Sequence, residues 1–216
     1  MQIVEKSKNK LAKHVNIQNI LRLNHSIREN DNDLTAFILA KLIDKQSRIH
    51  STCRDDLNPI LTALKNKNYS AVSMLYKAKF SFNFHLENGL SVLDVALDAL
   101  DYKNLLIMKD FNLNVNILNK CGHSPIHRAI INNNIEGLKS LTKEKYNDCK
   151  IDNGDHFENS AVHLACIYNR SACLELLMEN KSSLVEKNHN LETPIHLAIA
   201  YSSIECLRFV CPSALI

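Results

Sequence analysis

The apolar residues of this chain fall into short helical stripes rather than into the alternating pattern of strands. Cys173, Leu174 and Leu177 show the recurring spacing, i, i+1 and i+4, which places side chains on one face of a helix. A second short segment precedes each stripe at a constant distance, as Ser160 precedes Cys173. The pattern therefore predicts pairs of short helices. The five stripes begin at Ala71, Asn104, Gly137, Cys173 and Cys206.

The segment before each stripe repeats as a short motif. It reads SPIHRA from Ser124, SAVHLA from Ser160 and TPIHLA from Thr193. Equal steps back along the chain from Ser124 reach SVLDVA at Ser91 and NPILTA at Asn58. The step between motif starts is constant, except that the step from Ser124 to Ser160 is longer by three. One structural unit is therefore repeated five times.

Each part of the motif has a physical role at the start of a helix. The first residue, Ser, Thr or Asn, is a good N-cap because its side chain accepts a hydrogen bond from an unpaired amide of the first turn. Proline in second place loses nothing, because its position has no intrahelical N–H bond to make. The alanine in sixth place is small, which lets neighbouring helices approach closely. The motif therefore predicts the first helix of each pair.

These hexamers resemble the T-P-L-H-x-A signature of the ankyrin-repeat family, whose period of about 33 residues is also the step found here. The resemblance covers roughly residues 55–216 and implies an all-α solenoid of helix-turn-helix units joined by β-hairpin loops. Residues 55–216 are expected to form five repeats. Residues 1–54 are expected to form an amino-terminal segment with a degenerate capping repeat, in register with a motif start at His25.

The chain departs from the family pattern in two respects. The glycine usual between the two helices is absent from every repeat, and the third repeat carries three extra residues within 143–159. Glycine is retained at two hairpins, in Asn88-Gly89 and Cys121-Gly122, where it predicts turns. The residues that replace the inter-helix glycine are Lys67, Leu100, Asn133, Asn169 and Ser202.

Composition narrows the functional classes. Seven cysteines, an odd number without CxxC spacing, predict a reduced intracellular protein, expected in the cytoplasm with the nucleus as an alternative. The sequence contains no apolar run long enough to predict a membrane span. Residues 1–80 carry 14 basic against 7 acidic residues, whereas residues 81–216 carry 12 against 16. This uneven distribution of charge is typical of a solvated surface. The alternative is that the basic amino-terminal end prefers an acidic partner. Direct nucleic-acid binding is not expected.

Residues with catalytic or metal-binding chemistry are interpreted as structural. His127, His163 and His196 share one repeat position, so they are expected about 10 Å apart, too far for a shared metal. The sequence therefore predicts no catalytic residues, no cofactor and no metal site. The sequence also contains no nucleophile-elbow, P-loop or zinc-protease motif. Four residues near the insertion are interpreted as solvated surface: Asp148, Asp152, Asp155 and His156.

Repeat proteins bind partners along the concave surface of their first helices and hairpin tips. In the repeat register, Tyr168 and Tyr201 occupy the same position of consecutive repeats, either as a binding ladder or as packing between repeats. The expected outward residues of the first helices are Arg128, Ile131, Asn132, Leu164, Ile167, Tyr168, Leu197 and Tyr201. The expected tip residues are His123, Phe157, His189 and Glu192.

The expected function is non-catalytic binding of one or more intracellular proteins. The mid-array insertion resembles the inhibitor-of-NF-κB group, in its short, signal-insensitive, virus-carried form; that resemblance implies inhibition of Rel-type transcription factors. A further alternative is a substrate adaptor of a ubiquitin ligase, because Leu207, Cys211 and Leu215 resemble an elongin-binding box. The sequence leaves the oligomeric state open.

Overall fold

The computed structural model describes residues 17–44, 55–98, 102–108, 110–111, 113–142 and 149–210. The chain forms two compact units, residues 1–87 and 88–216. Throughout the described residues the secondary structure is helical, and no extended strand occurs there. The predicted all-α class is therefore confirmed.

The first unit contains two helix pairs. Helix α1 covers residues 17–28 and is followed by α2, Asn32–Asp44. A 3-10 turn at Asp55–Leu57 precedes α3, Pro59–Lys65, and α4, Tyr69–Lys77. Helix α4 packs against both α2 and α3.

The second unit contains four helix pairs. The first helices of the pairs are α5 (Val92–Asp98), α7 (Pro125–Ile131), α9 (Ala161–Ile167) and α11 (Pro194–Ala200). The second helices are α6 (Tyr102–Met108), α8 (Ile135–Thr142), α10 (Ser171–Glu179) and α12 (Ile204–Val210). First helices pack side by side in the order α5, α7, α9, α11, and second helices pack in the order α6, α8, α10, α12. This is the stacking of repeats that the sequence predicts.

The first helices begin where the motif predicts, through reciprocal side-chain caps. Ser160 Oγ lies 2.8 Å from His163 Nδ1, and the same nitrogen accepts a hydrogen bond from the backbone N–H of Ser160 at 3.1 Å. Ser124 and Thr193 form the equivalent capping boxes with the histidine three residues on. At Ser91 the partner is Asp94, whose carboxylate accepts the Ser91 N–H at 2.8 Å. One cap geometry therefore serves four repeats with two kinds of side chain.

Among the described residues, a polar side chain ties each of four helix pairs to the pair before it. It lies ten residues after the motif start and donates to a carbonyl at the end of the preceding first helix. Asn68 donates to Ile27 O at 3.1 Å, and Asn134 donates to Leu97 O at 2.8 Å. Arg170 bonds Ile131 O, and Ser203 bonds Cys166 O. These bonds satisfy carbonyls that a helix terminus leaves unpaired.

The bend between the two helices of a pair has a left-handed backbone in place of the missing glycine. Lys67, Asn133, Asn169 and Ser202, each nine residues after the motif start, have φ between 51° and 54°. The hairpins need the same conformation, which Gly122 supplies in one repeat and Leu191 adopts at φ 62°. The structure thus keeps the family's bends without the residue that adopts them most easily.

The register expected for the amino-terminal segment is wrong by four residues. Asn30 has the left-handed conformation of the inter-helix bend, with φ 58°. Nine positions earlier lies Leu21, not His25, and α1 runs through both as a continuous helix. A helix pair is nevertheless present, and Ser26 Oγ joins its two helices through a 2.9 Å contact with Thr35 Oγ1.

Candidate protein-binding face

The outward residues of α5, α7, α9 and α11 form a continuous surface in the second unit. It is called the first-helix face below and comprises Asp98, Arg128, Ile131, Asn132, Ile167, Tyr168, Ala200 and Tyr201. Six of the eight residues predicted to point outward lie on it. The first helices are aligned by the packing of each on the next, so residues at one repeat position form rows across the face.

Two of the predicted outward residues are buried instead. Leu164 and Leu197 are each only 4% exposed, so the expectation that they face solvent is wrong. Both occupy the fifth position of the motif, where Arg128 stands in the preceding repeat. That position lies at the edge of the helix contact; an aliphatic side chain turns into the contact, whereas the guanidinium of Arg128 reaches outward to a charged partner.

The two tyrosines are the largest exposed side chains of the first-helix face. Tyr168 is 43% exposed and Tyr201 is 59% exposed. Each is the C-cap of its helix, with its backbone N–H bonded to the carbonyl of Leu164 or Leu197. The backbone therefore holds both rings at the same height on neighbouring helices, while their side chains remain accessible.

At the other end of the face, a polar cluster joins α5 to α7. Arg128 makes a two-pronged salt bridge to Asp98, with both N–O distances 2.7 Å. Asn132 donates to the same carboxylate. The bond to Asp98 raises the pKa of Arg128, so its charge is fixed. The sequence analysis missed Asp98, although it stands at the same repeat position as Ile131 and Ile167.

Three of the hairpin tips are each built on an acidic or amide residue five positions before the motif. Oδ1 of Asn119, of Asp155 and of Asn188 each accepts two backbone N–H groups of its own turn. A backbone bond closes each turn, at 2.9 Å from Asn119 to His123 O and at 3.0 Å in the other two. The predicted hairpins are thus tight turns without paired strands in the described residues.

The predicted tip residues differ in how free they are. The backbone N–H of His189 bonds Phe157 O at 3.0 Å, which joins two neighbouring tips. His123 Nε2 lies 3.7 Å from Asp155 Oδ2, and Glu192 accepts a bond from the amide of Asn188. The ring of Phe157 is 67% exposed. The backbone of His189 and the ring of His123 therefore link neighbouring tips, and Glu192 bonds within its own tip. The side chains of Phe157 and His189 both remain exposed.

The repeated histidines hold the backbone in place. His163 Nε2 lies 3.1 Å from Glu192 O in the next hairpin, so this ring links two repeats. Because Nδ1 accepts from Ser160, the neutral ring carries its proton on Nε2. Burial lowers the pKa of His163, and it lowers the pKa of His127 from 6.5 to about 4. Both rings are therefore neutral at physiological pH.

The acidic residues near the insertion lie in different surroundings. Asp155 is 8% exposed and is occupied by the hairpin turn, which corrects its interpretation as solvated surface. Asp152 and His156 are exposed, and Asp148 lies outside the described residues. No group of three metal-ligating side chains occurs in the ranges that the structure describes.

Two other expectations meet the structure only in part. Cys149 and Cys173 are free thiols whose pKa burial raises to about 11, so they behave as small apolar groups. In the elongin-like box, Leu207 lies on α12, and Cys211 and Leu215 lie outside the described residues. No helix in the described part of the chain is long and apolar enough to cross a membrane.

Comparison with known proteins identifies the repeats. Residues 127–215 match the family model for ankyrin repeats in three copies. The chain is 30% identical over 133 residues to the nuclear factor NF-kappa-B p105 subunit of Gallus gallus, a match that covers 57% of this chain and 13% of p105. It is 32% identical over 89 residues to a putative ankyrin repeat protein of Rickettsia felis, covering 38% of this chain and 29% of that protein.

The chain therefore spans less than a third of the length of either relative. The match to the family model overlaps three of the five motifs found by self-comparison, and the helix pairs, capping boxes and bends recur in register with it. Ankyrin repeats are modules that bind other proteins. Sequence, structure and family model agree that residues 127–215 of this chain are ankyrin repeats.

Proposed function

We propose that the chain binds a protein partner through the first-helix face, as a non-catalytic module. The observation that carries the proposal is the pair of exposed tyrosines, Tyr168 and Tyr201, at one repeat position on two helices that pack together. Tyrosine is enriched among the residues that dominate binding energy at interfaces, because its ring buries a large area with few rotatable bonds.

The surroundings of the tyrosines have the composition of an interface. Ile131 and Ile167 lie half-buried in the adjoining row and supply an apolar floor. Phe157 adds a second large exposed ring at the tips. The salt bridge of Arg128 with Asp98 borders the apolar part with fixed charge. An apolar centre with a polar rim is the usual arrangement of a protein-binding surface.

The test removes both rings. The variant Tyr168→Ala with Tyr201→Ala is expected to lose capture of the partner that the unaltered chain retains from cell extract, with affinity reduced by about 100-fold or more for two central tyrosines. Because both side chains are exposed, the variant is expected to keep its helical circular dichroism and its unfolding midpoint.

The matched control changes two exposed residues of α10, Glu175→Ala with Glu179→Ala. These side chains lie on a second helix, outside the first-helix face. We expect this control to capture the same protein as the unaltered chain. Equal capture by the tyrosine variant would refute this site.

We propose a Rel-type transcription factor as one candidate partner, bound in the cytoplasm or the nucleus. The observation in favour is the similarity over 133 residues to the NF-kappa-B p105 subunit. The extra residues between the third and fourth motifs agree with it, since the described part of that segment is ordered on the preceding repeat, with Lys150 N donating to Asn116 Oδ1 at 2.8 Å.

This candidate has a direct test with purified components. The chain is added to a Rel dimer already bound to its DNA site, and the fraction of bound DNA is measured by gel mobility. We expect the chain to displace the DNA, and the tyrosine variant to fail. Undiminished DNA binding in a large excess of the chain would eliminate Rel factors as the partner while leaving the first-helix face open to others.

A further inference from the structure

The first unit carries a groove that the first-helix face does not use. It lies between α1 and α2 and has a volume of about 570 Å³. Its apolar walls come from Leu34, Phe37 and Ile38 of α2, spaced as one helical face. Leu34 is 40% exposed and Phe37 is 56% exposed, so the apolar part opens to solvent.

Three of the four polar residues that line the groove have basic side chains, and the fourth is Asn19. Arg22 and His25 line it from α1, and Lys41 lines it from α2. Lys41 Nζ lies 4.2 Å from the centroid of the Phe37 ring, a cation–π contact that places a positive charge directly on the apolar wall. No carboxylate occurs among the described residues that line the groove.

Three of the four acidic residues of this helix pair lie outside the groove. Glu29, Asp31 and Asp33 cluster at the turn between the two helices, and Asp31 is occupied as the N-cap of α2, accepting the Leu34 N–H at 2.9 Å. The groove therefore combines exposed aliphatic and aromatic surface with positive charge on both sides. That combination selects an apolar ligand with negative charge flanking it.

We propose that this groove binds an acidic amphipathic helix of another protein. Helices of this kind lay an apolar face into a groove with anchors at i, i+3, i+4 and i+7. Their flanking carboxylates meet Arg22 and Lys41, while leucine or phenylalanine anchors contact Leu34 and Phe37. The proposal is independent of the first-helix face, which belongs to the second unit.

Charge argues against the chain's own amino-terminal residues as the occupant. Residues 1–16 carry four lysines and one glutamate, so they would bring positive charge to a basic groove. Deletion of residues 1–16 is accordingly expected to leave peptide affinity unchanged or to raise it slightly. An increase of about tenfold or more would mean that this segment occupies the groove, and would overturn the proposal.

The experiment uses the full chain and a labelled model peptide, with binding read by fluorescence anisotropy. The peptide is about 16 residues long, roughly 24 Å as a helix, with leucine on one face and glutamate on the other. A second peptide has lysine in place of glutamate. We expect the acidic peptide to bind with micromolar affinity and the basic one to bind at least about tenfold more weakly.

Variants locate the site. Arg22→Glu with Lys41→Glu is expected to lower the affinity for the acidic peptide by about tenfold or more. Phe37→Ala is expected to lower it by a comparable factor. Lys65→Glu with Lys77→Glu makes the same change of net charge at exposed residues outside the groove. That control is expected to bind as the unaltered chain does.

Three further results would overturn the proposal. The first is equal binding of the two peptides, and the second is equal loss in the groove and control variants. The third is complete competition by a single-stranded oligonucleotide at equal charge concentration, which would show a site for polyanions in general. Thermal unfolding of every variant, followed by circular dichroism, establishes that loss of binding is not loss of fold.

Discussion

The fourth residue of the repeated motif shows how one side chain serves several structural needs. His163 caps its own helix with Nδ1 and reaches the next hairpin with Nε2. At the same position His127 makes the cap, but its buried Nε2 has no hydrogen-bond partner among the described residues. Asp94 makes the cap as a carboxylate, and burial raises its pKa. All three side chains cap their own helix, but in the part of the chain that the structure describes only His163 of the three has the second bond, to the next hairpin.

The buried ring of His127 predicts a pH dependence of stability. Its pKa is about 4 in the folded chain and near 6.5 when exposed, so the unfolded chain gains the proton first as pH falls. The neutral His127 ring contributes to the free energy of unfolding above pH 6.5. This contribution is lost as the pH falls toward 4, by at most about 1.4 kcal/mol for each pH unit. Gln also completes a capping box, so His127→Gln is expected to flatten this part of the curve.

Urea unfolding of both proteins over that pH range measures the effect. All other titrating groups are shared, so the difference between the two curves isolates His127. Parallel curves would show that His127 has the same pKa in the folded and the unfolded chain, and that burial does not lower it.

At the scale of elements, the joints between helix pairs rest on few polar groups. Asn134 illustrates the arrangement: its Nδ2 donates to Leu97 O at the end of α5, and its Oδ1 accepts the Gly137 N–H at the start of α8. Gly137 must remain small, because a Cβ there would lie 2.6 Å from a methyl carbon of Leu97. One amide thus closes two helix ends at a point where the two helices approach closely.

Replacing this amide tests the joint. Asn134→Ala leaves a buried carbonyl and a buried amide without partners, and we expect it to lower the free energy of unfolding by about 1–3 kcal/mol. Asn134→Ser is the matched variant, because Ser203 at the same repeat position donates to Cys166 O. Serine is expected to recover part of the loss in chemical denaturation; equal midpoints for both variants would contradict the role of the bond.

The sequence predicts those elements whose ends carry their own signals. The motif supplies a cap and often a proline, so the starts of α7, α9 and α11 follow directly. The amino-terminal pair has neither signal, and a four-residue shift rotates a helix by only about 40° from a full turn. The apolar stripe is therefore nearly unchanged between starts at Leu21 and His25. The bend at Asn30 and the burial of Leu23 and Ile27 fit the start at Leu21.

The rows of the first-helix face could be predicted from the sequence, but the direction of each side chain could not. The repeat register placed Tyr168 and Tyr201 correctly on the surface. It did not indicate that Leu164 turns inward while Arg128 at the same position turns outward, because that depends on Asp98 of the preceding repeat. A pairing between repeats is a tertiary property that the pattern within one repeat does not contain.

At the scale of the second unit, burial of a repeat position depends on the repeat that follows. The seventh motif position is fully buried at Ile130, in the middle of the stack, whereas Ile199 in the last described pair is 62% exposed. The neighbouring exposed residues Ile204 and Phe209 belong to the same pair. The last described pair therefore presents to solvent a surface that the earlier pairs cover with their neighbours.

Identical substitutions at these two isoleucines test this dependence. Ile130→Ala is expected to lower the free energy of unfolding by about 2–5 kcal/mol, because it leaves a cavity. Ile199→Ala removes the same atoms from a largely exposed site, so its effect is expected to be within about 1 kcal/mol. Urea denaturation of the two variants measures the difference. A large loss at Ile199 would mean that this side chain is covered in solution.

The left-handed bends without glycine have a consequence for how the chain folds. Residues such as Lys67, Leu191 and Ser202 disfavour this conformation in an isolated segment. These bends therefore cannot nucleate the structure; they form when docking of the flanking helices compensates their local strain. The transition state of refolding is accordingly expected to contain docked helices with most bends still unformed, and the connections become ordered only as the last contacts close.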